Sequence, residues 1–203
     1  VAIGFFFLLR ASEYLDTGFR TPGRGLQGRH VQLQIDGKPW NIGMQGRPDE
    51  VVLTVQGSKT DLYNNGETRN HFRADEPGAH GQRLCVVEAV EWLFGHFPDR
   101  APGSINQDVP LFTELNGSLL SRMAMQNTLQ MAAKALGFNE SRLGSHSLRF
   151  GGASALWAAY HDSALVRRWG RWASDCFQGY IWEGRQGSAG VAQSMAQADL
   201  TPA

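Results

Sequence analysis

SHSLRFGGASALWAAYHDSALVRRWGRWASDCFQGYIW, residues 145–182, sets the fold class. From Ser147 to Tyr160 the pattern is helical, and Gly151, Gly152, Ala153 and Ser154 keep one side small enough for another backbone to approach. Asp162 and Ser174 are N-cap candidates for two further short helices, because a short side-chain oxygen can accept an otherwise orphaned backbone N–H. The second of these helices carries Tyr180.

Outward from this stretch the helical spacing continues. Met125, Leu129, Ala132, Ala133 and Leu136 mark a helix capped by Ser121 and stopped at Gly137. Val86, Val90, Leu93, Phe94 and Phe97 mark another, closed by Pro98 and followed by a Pro/Gly-rich connection. Before Pro77 the period changes to two. Val31, Leu33 and Ile35 alternate with polar residues, Asp36-Gly37 supplies a tight turn, and Lys38 to Ile42 returns as a partner strand. Val51 to Val55 and Thr68 to Phe72 are further strands, with Lys59 on the polar hairpin tip between them. Gly18 through Gly28 is loop, and Val1 to Leu15 reads as one buried helix that presents Arg10 and, a turn later, Glu13 on the same side. The expected class is mainly α with a small antiparallel β-sheet (α+β). Residues 1–183 form one domain in this reading. The Gly/Ser/Ala/Gln-rich stretch 184–203 is expected to be a mobile or protomer-contacting tail, or a weak helix from Val191 to Ala198.

The 203 residues, 42% of them hydrophobic, suffice for one domain with a proper core. A formal net charge of zero gives no global electrostatic footprint for nucleic acid. Local charge differs: Arg142, Arg149, Arg167, Arg168, Arg171 and Arg185 share a stretch with only Asp162, Asp175 and Glu183 to offset them. Arg142, Arg167 and Arg185 read as solvated surface charge. Cys85 and Cys176, far apart and in no metal-ligand spacing, suggest neither a disulfide framework nor a zinc site, and fit a reducing intracellular compartment. The run Val1 to Leu9 is shorter than the ~20 residues of a membrane helix, and its uncapped start suggests a piece of a longer protein.

Six dispersed side chains have chemistries that add up to one reaction. Arg10 and Arg149 can clamp a phosphate, Lys59 and His146 can move protons, the Trp172 indole can donate a hydrogen bond, and the Tyr180 hydroxyl can attack phosphorus. The strings FLLRASEY around Arg10, GSKTD around Lys59, SHSLRFGGAS around His146 and Arg149, and GRWASDCFQGYI from Trp172 to Tyr180 resemble, in order and spacing, the catalytic domain of the tyrosine recombinases, or phage integrase family. The Gly-Arg-Trp and SKTD versions look closest to recombinases of eukaryotic mobile elements, such as cryptons and tyrosine-recombinase retrotransposons.

That resemblance implies metal- and ATP-independent cutting and rejoining of double-stranded DNA for integration or recombination, through a 3′-phosphotyrosine intermediate. Tyr180 is then the nucleophile, His146 the proton acceptor, and Lys59 the general acid for the departing 5′-oxygen. Arg10 and Arg149 stabilise charge on the phosphate, Glu13 orients Arg10, and Trp172 stands where most relatives have histidine. Neither metal nor small-molecule cofactor is implied. The partners implied are DNA and a homotetramer assembled on it; the compartment is the one that holds DNA, and relatives carry a helical domain upstream. Ser145 departs from the family's glycine and adds a side chain near the scissile phosphate, from where it can cap the next helix. A type IB topoisomerase and a catalytically dead DNA-binding remnant of a mobile element remain as rival readings.

Overall fold

Asp36 and Gly37 take φ of 50° and 72°, the left-handed pair that a two-residue hairpin needs, and β1 (Val31–Ile35) folds back onto β2 (Lys38–Trp40). The molecule is described by a computed structural model over residues 1–16, 25–56, 66–78, 81, 84–182 and 197. β3 (Glu50–Val55) pairs with both β1 and β4 (Glu67–Phe72), giving an antiparallel sheet in the order β2-β1-β3-β4. The register places Leu33 opposite Trp40 and Val51, and Val31 opposite Leu53, so that one face is apolar. That face is buried with Val86, Val87, Val90 and Phe94 of α3 (Val86–His96) and with Phe7, Leu9 and Tyr14 from the N-terminus. Lys59 and the hairpin tip, together with the proposed helix from Val191 to Ala198 apart from Gln197, lie outside the described residues.

The N-terminal segment is two short helices, α1 (Ala2–Phe6) and α2 (Ala11–Tyr14), where the sequence reads as one. Phe7, Leu8 and Leu9 are all fully buried, and three consecutive residues cannot share one stripe of a helix. Leu8 takes a φ of 48°, which sends its side chain to a second core with Ala153, Val166, Trp172 and Phe177 while Phe7 and Leu9 stay in the first. A left-handed non-glycine residue costs roughly 1–2 kcal/mol, against about 1.5–3 kcal/mol from burying a leucine.

α4 (Arg122–Ala135), α5 (Ser147–Tyr160) and α6 (Ser163–Trp169) build the helical half. Ser121 Oγ accepts from the Ala124 N–H at 3.1 Å and Asp162 Oδ1 from the Leu165 N–H at 3.0 Å, so both act as caps. Ser174 makes no capping hydrogen bond, and the element after it is a 3-10 helix, Asp175–Tyr180. Side chains three apart eclipse in that geometry, which turns Phe177 and Tyr180 together toward Trp172. Ser145 does not cap α5 either: His146 is its N-cap residue, and Ser145 Oγ instead accepts from Arg122 Nε at 2.8 Å. Among the described residues no helix is long and apolar enough to cross a membrane.

The small side of α5 meets α1 as its composition predicts. A Cβ on Gly152 would collide with the Phe5 carbonyl oxygen and stand 2.5 Å from Leu8 Cδ2. Gly152→Ala should therefore destabilise the fold by about 1–3 kcal/mol, read as a lower urea midpoint at unchanged slope. Gly151→Ala, whose Cβ would meet only the Phe5 ring edge at 3.3 Å, should have a smaller effect.

Candidate active site

The turn between α1 and α2, the N-terminal half of α5 and the turn after α6 converge on one cluster of charge. Arg10 opens α2, and Glu13 at its third position reaches back: Oε2 accepts the Arg10 backbone N–H at 2.7 Å and Oε1 accepts Arg10 Nη1 at 3.0 Å. Arg171 brings a third group into this pair. Its guanidinium is wholly buried and donates to Glu13 Oε2 at 2.7 Å and to the Phe7 carbonyl at 3.1 Å. The Arg171 carbonyl in turn accepts from Arg10 Nη2 at 3.3 Å.

Arg149 enters from α5. It is 1% exposed, with Nη1 donating to the Leu8 carbonyl and Nη2 to the Gly170 carbonyl at 2.6 Å. Its guanidinium lies 4.2 Å from the Trp172 ring centre and 5.7 Å from that of Tyr180. Burial, and then the charge of Arg10, push its pKa down to about 10, which still leaves it cationic at neutral pH. Burial likewise lowers Arg171, with Glu13 opposing the shift. Three guanidiniums thus surround one carboxylate. The side chains of Glu13 and Arg171 are closed off from solvent, and that of Arg10 keeps 23% of its surface open.

Tyr180 stacks on Phe150 with ring centres 4.6 Å apart and lies 5.1 Å from Trp172. Its carbonyl accepts from Ser154 Oγ at 3.3 Å, tying the end of the 3-10 helix to α5. Trp172 is buried at 8% exposure, so the indole serves as the wall against which Arg149 and Tyr180 rest. Gly170 must be glycine here, since a Cβ would run into the Trp172 ring.

His146 is exposed at the start of α5, and its pKa is lowered by partial burial, then by Arg122 and Arg149. A lowered value keeps the imidazole neutral, and able to accept a proton, to below its ordinary 6.5. Arg122→Ala removes a positive neighbour and should raise the His146 pKa toward 6.5, leaving less neutral imidazole just below that pH. Titrating the His146 ring resonances by NMR in both proteins measures the shift.

No family model matches the sequence, and no curated protein matches it. Solved structures do. The XerH site-specific recombinase bound to its difH substrate, in a pre-cleavage complex, is 18% identical with a TM-score of 0.56, over 97% of this chain and 43% of that one. The post-cleavage complex of XerH with a palindromic difH substrate gives 17% and 0.58, over 97% and 44%. The fold is that of a tyrosine recombinase catalytic domain. The chain spans less than half the length of these recombinase chains.

Of the residues singled out in the sequence for a recombinase site, Arg10, Glu13, Arg149, Trp172 and Tyr180 are joined by direct contacts or through one shared neighbour. His146 is close enough to Arg149 to feel its charge. Lys59 lies outside the described residues; the flanking Val55 and Gln56 line a small cleft with Leu9 and Glu13. Arg171 was missed as a distinct residue. In sequence it is one arginine among six, and only its place between a glycine and a tryptophan sets it apart.

Proposed function

We propose that this chain is the catalytic part of a site-specific DNA recombinase or integrase that cuts and rejoins strands through a 3′-phosphotyrosyl intermediate. The observation that carries this reading is a cluster of three guanidiniums, two of them bonded to one carboxylate, open to solvent at Arg10 and set beside the Tyr180 ring at Arg149. Two uncompensated positive charges next to a phenol suit a phosphodiester, whose non-bridging oxygens gain charge as phosphorus is attacked.

In this mechanism Arg10 contacts the phosphate oxygens directly, because its side chain is the one with open surface. Arg149 acts mainly through its field, since both terminal nitrogens are held by the carbonyls of Leu8 and Gly170. Tyr180 attacks phosphorus and its proton passes to His146; Lys59 protonates the leaving 5′-oxygen. Trp172 seats Tyr180 and Arg149, and its indole N–H is available to a phosphate oxygen. The arginines and Lys59 supply the positive charge that other strand-transfer enzymes take from metal ions. The bond energy is retained in the phosphotyrosine, so a second 5′-hydroxyl reverses the step without ATP. The proposed partners are double-stranded DNA and, for paired strand exchange, three further copies of the chain. The setting is a mobile element acting wherever the cell keeps its DNA.

The test is incubation with a pool of nicked duplexes randomised around the nick, followed by a denaturing gel. A protease-sensitive band of protein joined to DNA is expected, formed equally well in the presence of a chelator. DNA binding with no adduct from any member of the pool would overturn the proposal.

A further inference from the structure

Arg171 takes no part in the proposed reaction, yet the site is built around it. Its φ of 57° is left-handed, a conformation that costs a non-glycine residue roughly 1–2 kcal/mol. Its Nε is buried with no hydrogen-bond partner among the described residues. A buried, strained and incompletely satisfied arginine is a poor choice for stability alone, because an apolar or glycine replacement would avoid its desolvation.

The hydrogen bonds close a ring. Arg10 Nη1 donates to Glu13 Oε1 and Arg10 Nη2 to the Arg171 carbonyl, while Arg171 Nη2 donates to Glu13 Oε2. Each terminal nitrogen of Arg10 therefore meets an acceptor that Arg171 either supplies or restrains. Arg and carboxylate groups left to themselves pair bidentately, through two parallel N–H···O bonds. Here the second oxygen of Glu13 is occupied by Arg171 and by the Arg10 backbone N–H. Glu13 consequently neutralises Arg10 only in part and cannot turn its full face toward it.

We propose that Arg171 is a positioning residue for strand transfer: by holding one oxygen of Glu13, it keeps the Arg10 guanidinium oriented and incompletely neutralised, ready for the reacting phosphate. This role rests on the proposed recombinase function. If the Arg171 side chain is removed, Glu13 swings into a bidentate pair with Arg10, and the phosphate loses its main contact. The backbone at residue 171 tolerates glycine, so Arg171→Gly relieves the positive φ while deleting the guanidinium.

The experiment follows single-turnover adduct formation on the nicked-duplex pool, with DNA affinity and thermal melting measured in parallel. The proteins are the parent, Arg171→Lys, Arg171→Gly, and Arg171→Gly combined with Glu13→Gln. Arg171→Gly should react on the order of 10²-fold more slowly while binding DNA within about threefold of the parent. Arg171→Lys should recover part of the rate, keeping the charge but not the fork. The double variant decides between a positioning role and a structural one. It restores the parent's charge balance and gives Arg10 a neutral neighbour that cannot form an ion pair, so it should react faster than Arg171→Gly alone. A double variant slower than Arg171→Gly would mean that Arg171 only supports the fold, and the inference fails. A parent that forms adduct alongside Arg171→Lys and Arg171→Gly proteins of equal speed also overturns it, leaving the proposed function standing. A parent with no adduct takes both readings down.

Discussion

Tyr180→Phe should abolish the protein–DNA adduct completely while leaving folding and DNA affinity unchanged. The ring makes the packing contacts: it stacks on Phe150 at 4.6 Å and leans on Trp172 at 5.1 Å, and phenylalanine reproduces both. The bond from Tyr180 to the rest of the domain runs through its carbonyl, which Ser154 holds whatever the side chain. Only the hydroxyl is lost, and with it the atom that would attack phosphorus. The predicted signature is an unshifted band on a denaturing gel together with parent-like retardation on a native one. An adduct that persists in Tyr180→Phe would place the nucleophile elsewhere and remove the reason for this arrangement of arginines.

Glu13→Ala should be the most destabilising single change at the site. The carboxylate is 5% exposed at its side chain and accepts from the Arg10 backbone, the Arg10 guanidinium and the Arg171 guanidinium. Removing it leaves three arginines facing one another, two of them buried, with no counter-charge in the ring. Breaking a buried ion pair by deleting one partner costs about 3–5 kcal/mol, a large part of the 5–15 kcal/mol that holds a typical domain together. Chemical denaturation should show that loss as a fall in midpoint. Because the cluster is then short of an anion, millimolar inorganic phosphate should raise the midpoint of Glu13→Ala more than that of the parent, by preferential binding to the folded state. Equal effects on the two proteins would mean that the cluster does not attract phosphate.

The sheet and the long helices were legible because each rests on a local rule. Asp36-Gly37 has the backbone freedom its turn requires, Ser121 and Asp162 can cap, and Gly151 to Ser154 leave room that α1 fills. The break at Leu8 was not legible, since it depends on two separate cores competing for consecutive residues, and no periodicity encodes that. The 3-10 geometry after Ser174 has the same origin: Phe177 and Tyr180 are drawn to Trp172 by tertiary contact, overriding the α-helical spacing. At the site, local strings singled out Arg10, Glu13, Arg149 and Tyr180 by their resemblance to a known spacing, and the fold brings these residues into one region. Arg171 lies inside the Gly-Arg-Trp string but carries no role there, and its importance is visible only when it and Glu13, 158 positions apart, are seen to be bonded to each other.

The 3-10 helix that ends in Tyr180 would also bear on the stage after covalent attachment in the proposed reaction. Such helices have poorer hydrogen-bond geometry than α-helices and rarely extend beyond a turn or two, so they rearrange at small energetic expense. In the proposed reaction a DNA end esterified to Tyr180 would hang from this single 3-10 element, while Arg149 and Arg171 stay held in buried packing. On that proposal the tethered strand would pivot toward a new acceptor at the Tyr180 end of the element while Phe177 stays seated in the second core, much as a hinge pin turns inside a frame that does not bend.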